Sequence, residues 1–97
     1  MSAVITVTRF QIDPADAEQI RARHAALVAA TRKAAPGLTE ARLGRLSDET
    51  WVGIWRWDSA ASLQAARQAV PGSAEATAAF ALTREAGVDD IEIFDEH

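Results

Sequence analysis

The sequence contains no cysteine and only two histidines, His24 and His97. Without cysteine the chain cannot form disulfides, use a thiolate as a nucleophile or bind a metal through sulfur. A metal site built on two histidines would need the last residue of the sequence, so we expect no metal site. The lack of cysteine is typical of a reducing compartment.

Long apolar runs are also missing. No stretch approaches the roughly 18 to 20 continuous apolar residues that a membrane-spanning helix needs. The N-terminus lacks the basic and then apolar pattern of a signal peptide. We therefore expect a cytoplasmic protein with no membrane partner.

Basic residues are too few and too scattered to form a nucleic-acid site. The chain has 10 lysines and arginines against 14 aspartates and glutamates, a net charge of −4, so we expect no nucleic-acid partner. Hydrophobic residues make up 48% and charged residues 25% of the 97 positions, which is typical of one soluble globular domain spanning residues 1–97.

The N-terminal part of the chain predicts a strand and then a helix. The alternating stretch VITVTRF, residues 4–10, predicts the strand, with Val4, Thr6, Thr8 and Phe10 on one face. Asp13 followed by Pro14 marks a helix start, and Pro36-Gly37 ends this helix after about Ala35. His24 lies on the predicted buried stripe of the helix.

Two further strands, residues 38–46 and 50–57, are joined by a short polar turn and should pair antiparallel. The second strand reads TWVGIWRW and contains every tryptophan of the chain, all at odd positions: 51, 55 and 57. Because side chains alternate along a strand, the three indoles share one face, while Val52 and Ile54 share the other. Trp51 is nearest the turn, and if Trp57 faces a cavity, Trp51 is expected at its rim.

A second helical region and a last strand complete the chain. Asp58 or Ser59 caps a helix to about Val70, which Pro71-Gly72 interrupts. A further helical segment, capped by Ser73, is predicted to carry Phe80 and Leu82 and to end at Gly87. Residues 88–94 predict the last strand, and Asp89-Asp90 at its beginning indicate a turn and not a pair of acid/base carboxylates.

The element order is therefore βαββαβ, which predicts a ferredoxin-like α+β domain with a four-stranded antiparallel sheet. Right-handed crossovers place both helical regions on one face of that sheet. One of the two apolar sets, either the tryptophans with Phe10 or Ile5, Val7, Val52 and Ile54, then packs on the helices, and the other is left without cover. We expect a second copy of the sheet to cover it, which gives a homodimer.

Three stretches of the sequence carry a family resemblance: APGLTEARL at 35–43, WxxxWRWDS at 51–59 and the broken helix with Phe80. Together they resemble the antibiotic biosynthesis monooxygenase family, whose members form dimeric α/β barrels. The resemblance implies a substrate cavity between sheet and helices, lined by Trp57. It also implies a reaction without metal or flavin, in which an electron-rich phenol, hydroquinone or anthrone loses a proton and passes an electron to dioxygen.

This resemblance, with the residue types themselves, defines the predicted site. His24 is the only internal residue whose ordinary pKa lies near neutrality, so it is the predicted proton acceptor, and Trp57 is the second predicted catalytic residue. The predicted partners are a small aromatic substrate and dioxygen, with no cofactor. The predicted substrate contacts are Thr6, Thr8, Phe10, Trp55 and Phe80.

The sequence also departs from the family pattern. Gly53, Leu63 and Thr77 stand where anthrone oxygenases of the family carry asparagine, tyrosine and arginine. Haem degradation is disfavoured, because Thr8 replaces an asparagine and the second helical region has no axial histidine. Two alternatives therefore stay open beside the oxygenase: a polyketide-type cyclase on the same scaffold, and a non-catalytic binding or stress-associated dimer. The tryptophans and His24 could equally be ordinary core residues.

Overall fold

The structure, a computed structural model, describes residues 2–69 and 73–97. It confirms the predicted βαββαβ order and the ferredoxin-like α+β class. A short 3-10 turn, Pro14–Asp16, precedes the first helix. The elements are β1 (Val4–Gln11), α1 (Ala17–Ala34), β2 (Leu38–Arg45), β3 (Thr50–Trp57), α2 (Ala60–Ala69), α3 (Ala74–Phe80) and β4 (Arg84–Glu92).

The four strands form one antiparallel sheet in the order β2-β3-β1-β4. In the β1–β3 ladder Thr6 lies opposite Trp55 and Thr8 lies opposite Gly53. Since residues directly opposite each other point to the same face, the even positions of β1 and the odd positions of β3 share a face. This face is covered by the helices.

The helix starts follow from local capping. The Asp13 side chain accepts a hydrogen bond of 3.0 Å from the N–H of Ala15, and Pro14 follows where no amide hydrogen is needed. Ser73 caps α3 in the same way, because its Oγ accepts from the N–H of Ala76 at 3.1 Å. The predicted interruption at Pro71-Gly72 lies outside the described residues.

The Trp57-Asp58-Ser59 stretch anchors the start of α2 to the start of β2. The Oγ of Ser59 accepts a hydrogen bond of 3.2 Å from the N–H of Ser62, and the Asp58 carboxylate accepts from the hydroxyls of both serines. The N–H of Asp58 donates to the carbonyl of Gly37 at 2.9 Å. This part of the family resemblance therefore has a structural explanation, which is helix capping.

The prediction for the C-terminal part of the chain is wrong in its boundaries. α3 ends at Phe80, and β4 already begins at Arg84, so Gly87, Asp89 and Asp90 lie within the strand. The ladder with β1, in which Val88 lies opposite Thr8, forms despite the weak strand preference of glycine and aspartate. Tertiary pairing with a central strand outweighs local propensity here.

The sheet face opposite the helices is here called the outer face, and its apolar residues are Ile5, Val7, Val52, Ile54 and Ile91. The residues of this set are half-buried or exposed, with Ile54 at 42% and Ile91 at 45% exposure. Ile5 lies opposite Ile91 and Val7 lies opposite Ile54, so the patch crosses three neighbouring strands. None of the helices in residues 2–69 and 73–97 is long and apolar enough to cross a membrane.

Candidate functional site

A cavity of about 360 Å³ lies between the helix-covered face of the sheet and the three helices. Its walls come from β1, β3, β4, α1, α2 and α3, and they are almost wholly apolar. All seven residues predicted from the sequence line this cavity: Thr6, Thr8, Phe10, His24, Trp55, Trp57 and Phe80. The fold thus brings together residues separated by up to 74 positions in the chain.

Two indoles form one wall of the cavity. The ring centroids of Trp55 and Trp57 lie 6.2 Å apart with a tilt of 43°. Trp57 is 2% exposed and packs in a core cluster that includes Leu38 and Leu63. Trp55 is half-buried and contacts both this cluster and the one between α1 and α3. Each indole can contact another ring by offset stacking or edge to face.

Trp51 does not lie at the rim of this cavity, contrary to the sequence prediction. It is 6% exposed and packs with Phe10, Ile12 and Ile20 in a separate core cluster. Alternation along β3 does place it on the same face as the other tryptophans. Ile20 of α1, with Phe10 and Ile12 at the end of β1, packs over that end of the sheet, so Trp51 becomes core.

His24 projects from α1 and is hydrogen-bonded to Trp55. The indole Nε1 of Trp55 lies 3.0 Å from Nε2 of His24, and the two rings meet edge to face at a centroid distance of 5.6 Å. An indole nitrogen can only donate, so Nε2 accepts and the proton of the neutral imidazole sits on Nδ1. Burial lowers the pKa of His24 below its ordinary 6.5, because desolvation penalises the charged ring. The imidazole is therefore neutral at pH 7.

Two polar atoms of the cavity wall have no hydrogen-bond partner among the described residues. They are the hydroxyl Oγ1 of Thr6 and the indole Nε1 of Trp57, and both are buried. A buried polar group left unpaired costs about 1 to 3 kcal/mol. A ligand oxygen seated against them would recover part of that cost, which makes these two atoms natural contacts for a carbonyl or hydroxyl group.

Arg67 is a cavity residue that the sequence reasoning missed. Among the described residues of the lining it is the one charged side chain apart from the titratable His24. It donates two hydrogen bonds to Asp90 of β4, Nη1 to Oδ2 at 2.7 Å and Nη2 to Oδ1 at 2.5 Å. The pair lowers the pKa of the Asp90 carboxyl through the hydrogen bonds from Arg67. Arg67 lies four residues after Leu63, so both side chains point to the cavity side of α2. Helical periodicity in the sequence could therefore have indicated its position.

The three positions that depart from the family pattern fall into two groups. Gly53 and Leu63 line the cavity and leave it wider and less polar there. Thr77 is exposed, and its hydroxyl donates to the carbonyl of Ser73 at 3.1 Å within α3. Thr77 therefore takes no part in the cavity.

The cavity reaches the surface between α3 and β4. Phe80 and Val88, which line it there, are 52% and 53% exposed. Arg67 and Asp90 lie on the same side, with about two fifths of each side chain exposed. Within residues 2–69 and 73–97, no group of three histidine, cysteine, aspartate or glutamate side chains is close enough together to hold a metal ion.

Comparison with known proteins gives one family. The family profile described as antibiotic biosynthesis monooxygenase matches residues 3–82 of the chain. No curated protein sequence gives a significant match.

Solved structures match over nearly the whole chain. SnoaB, a cofactor-independent oxygenase from Streptomyces nogalater, is 29% identical with a TM-score of 0.72, over 99% of this chain and 97% of that one. Rv0793 from Mycobacterium tuberculosis is 27% identical with a TM-score of 0.69, over 98% of both chains. PA3566 from Pseudomonas aeruginosa, at 18% identity and a TM-score of 0.71 over 98% of this chain and 97% of that one, shares the fold.

Proposed function

The chain belongs to the antibiotic biosynthesis monooxygenase family, and from that premise we propose that it is a cofactor-independent monooxygenase of an electron-rich aromatic compound. The substrate class is an anthrone-like polyketide or a quinol. The catalytic residues are His24 and Trp57, and the substrate lies against Thr6, Thr8, Phe10, Trp55 and Phe80. The similarity to SnoaB supports the reaction type.

The observation that carries this proposal is the character of the cavity. An apolar chamber of about 360 Å³ suits a flat ring system of two or three fused rings. Its wall contains one neutral imidazole and two unpaired buried polar atoms, on Thr6 and Trp57. A substrate that is mostly hydrocarbon, carries one or two oxygens and must lose a proton has the matching chemistry.

In the proposed reaction His24 removes a proton from the substrate. The resulting carbanion transfers one electron to dioxygen, and the substrate radical and superoxide then combine to a peroxide. Protonation by the imidazolium and loss of one water molecule convert a ring CH₂ group to a carbonyl. One dioxygen is consumed and one water is released for each substrate, so the protein ends unchanged.

The proton acceptor is Nε2 of His24, which in the structure accepts from the indole of Trp55. Because Nδ1 carries the ring proton, the substrate has to displace the indole N–H from Nε2 before the transfer. Freed from that bond, the indole N–H of Trp55 and the unpaired N–H of Trp57 are available as donors to the developing oxyanion. This exchange couples substrate binding to activation of the base.

Arg67 is proposed to stabilise the same oxyanion from the cavity mouth. Its guanidinium stays charged at every physiological pH, and Asp90 fixes its orientation through the paired hydrogen bonds. A guanidinium beside a largely apolar cavity favours the deprotonated substrate over the neutral one, although the Asp90 carboxylate offsets part of its charge. We therefore assign Arg67 to substrate ionisation and Asp90 to the positioning of Arg67.

Dioxygen uptake tests the proposal. Purified protein is mixed with anthrone, a substituted naphthohydroquinone and a saturated ketone as a negative control, and oxygen and product are followed together. We expect uptake with the aromatic substrates only. His24→Ala should lower the rate about 10²- to 10⁴-fold, the usual contribution of a general base, and Trp57→Phe should lower it less. His97→Ala, which changes the other histidine, should not alter it.

The outcomes separate the alternatives. Substrate consumption without oxygen uptake would replace the oxygenase with a cyclase that uses the same histidine. No turnover, together with no change in tryptophan fluorescence on addition of any aromatic compound, would replace it with a non-catalytic dimer. Gly53 and Leu63, which lack polar groups where related oxygenases have them, are the residues that favour that last outcome.

The proposal includes a homodimer formed through the outer face. Ile5, Val7, Ile54 and Ile91 form an apolar patch across three strands, and a sheet of the same shape is its natural cover. In such a dimer the cavities lie on the far sides of the two sheets. Each subunit would keep a complete site of its own.

A further inference from the structure

A second cavity lies on the other side of His24. It is a groove of about 460 Å³ between the first half of α1 and the end of β2, and it is here called the α1–β2 groove. Glu18 and Arg21 line it from α1, Gly44 and Arg45 line it from β2, and Trp51 lines it from β3. The apolar cavity shares only His24 with this groove.

The groove carries an excess of positive charge. Arg21 and Arg45 are both exposed, and neither makes an ion pair within 4.0 Å among the described residues. Arg42, Arg56 and Arg67, in contrast, each hold a carboxylate. Glu18 is the one acidic side chain of the groove. Two guanidinium groups and one carboxylate give the groove a net charge of about +1, which a ligand with a single negative charge would neutralise.

Arg45 is held in place by an aromatic ring. Its guanidinium carbon lies 5.8 Å from the ring centroid of Trp51, the residue opposite it in the β2–β3 ladder. A guanidinium over an indole keeps its edge N–H groups free to bind an anion.

We propose that the α1–β2 groove binds a small organic monocarboxylate, held between Arg21 and Arg45 beside Trp51. The fork of a guanidinium matches the two oxygens of a carboxylate. Glu18 disfavours a second negative charge, so a carboxylate should bind better than a phosphate monoester. The site is separate from the proposed oxygenase reaction, and either can fail without the other.

The indole N–H resonances of the three tryptophans provide the test. The Trp51→Phe variant assigns the Trp51 signal by its loss. The indole N–H of Trp51 is buried and has no hydrogen-bond partner among the described residues, so its resonance should respond to a charge that binds nearby. Benzoate, phenyl phosphate and benzyl alcohol, which share one ring and differ in charge, are titrated into the full chain at low ionic strength. We expect saturable movement of the Trp51 signal with benzoate, weaker binding of phenyl phosphate and none of benzyl alcohol.

Variants give the test its direction. Arg21→Gln and Arg45→Gln should each weaken benzoate binding about two- to fivefold, the range of an exposed ion pair. Glu18→Gln should strengthen it and bring phenyl phosphate closer to benzoate. Arg32→Gln, on the same helix and outside the groove, is the control and should change nothing.

Three results would overturn the proposal. Benzyl alcohol could bind as well as benzoate, both arginine variants could bind like the unmodified chain, or the Trp57 signal could move in place of the Trp51 signal. The first two would show that no charge recognition takes place in the groove. The last would place the ligand in the apolar cavity.

Discussion

The indole N–H of Trp55 donates a hydrogen bond of 3.0 Å to Nε2 of His24, and this bond joins the central sheet to α1. It lies at the boundary between the apolar cavity and the α1–β2 groove. Because it occupies the lone pair that a proton would use, it stabilises the neutral imidazole. One contact thus sets the tautomer of His24 and joins its ring to Trp55 of the aromatic wall.

Trp55→Phe should raise the pKa of His24. Burial remains as the main cause of the lowered pKa, but the indole donor, which is lost when Nε2 takes a proton, is removed. An NMR titration of the imidazole C2–H measures this directly, since the chain has only one other histidine. A pKa that stays the same or falls would show that the hydrogen bond does not form in solution.

His24 should also make folding stability depend on pH. Its folded-state pKa lies below the ordinary 6.5, so below pH 6.5 the unfolded chain binds a proton that the folded chain resists. The contribution of neutral His24 to the free energy of unfolding is fully present above pH 6.5. It is lost as the pH falls towards the folded-state pKa. Urea unfolding between pH 6.5 and about 5 measures the slope.

His24→Gln should flatten that slope, because the amide does not titrate and can still accept from the indole. Asp90 and Glu96 do not contribute to the slope between pH 6.5 and about 5. Their carboxyl pKa values are lowered from 3.8 and 4.5, first by hydrogen bonds from their arginine partners, so their contributions are lost at more acidic pH. Equal slopes for the two proteins would rule out His24 as the titrating group.

Much of the fold was predictable because its determinants are local. Asp13-Pro14 and Ser73 specify helix starts, and the alternation of β3 fixes which face carries Trp55 and Trp57. Topology places both helical regions on one face of the sheet, and the family resemblance of Trp57 indicated that the odd positions of β3 point to that face.

The features that could not be predicted from the sequence depend on contacts between residues far apart in the chain. Strand β4 begins at Arg84 because it pairs with β1, although glycine and aspartate within it have weak strand preference. The Arg67–Asp90 pair connects residues on a helix and an edge strand that no local pattern relates. The bond between His24 and Trp55 could not be foreseen either, because it depends on the rotation of α1 about its own axis.

Thr6→Val and Thr31→Val should change stability in opposite directions. Both hydroxyls lie in the cavity wall, but that of Thr6 is unpaired while that of Thr31 donates to the carbonyl of Leu27 at 2.7 Å. Thr6→Val removes an unsatisfied buried group and should raise the free energy of unfolding by about 1 kcal/mol, whereas Thr31→Val should lower it by a similar amount.

The same pair of variants tests the role of Thr6 in binding. If its hydroxyl contacts a substrate oxygen, Thr6→Val should bind an aromatic ketone less tightly even though it is more stable. Thermal unfolding with and without ligand measures both effects. A destabilised Thr6→Val protein would show that the hydroxyl finds a partner in solution.

Gly37→Ala should disrupt the junction between β2 and α2. A Cβ at this position would lie 2.5 Å from Cβ of Ser62 and 2.7 Å from the Asp58 carboxylate, so the cap of α2 would have to move. We expect a loss of about 1 to 3 kcal/mol, as for other overpacked sites. Gly87→Ala, where a Cβ meets nothing within 4 Å, is the control. Equal stability of the two variants would contradict the tight packing at Ser62.

Ile54→Glu should convert the proposed homodimer to a monomer. Ile54 lies near the centre of the outer face, between Val7 of β1 and Arg42 of β2. Burying a carboxylate there costs several kcal/mol, which pairing with Arg42 offsets only in part. Light scattering at micromolar concentration should give twice the chain mass of 10.4 kDa for the unmodified protein and the single mass for the variant. Leu46→Glu changes another exposed apolar residue, 61% accessible and outside the sheet, and should remain dimeric.

Because the cavity lies on the opposite side of the sheet, the Ile54→Glu monomer should still bind aromatic ligands. A monomeric unmodified protein, or dissociation by Leu46→Glu alone, would show that the outer face is not the interface.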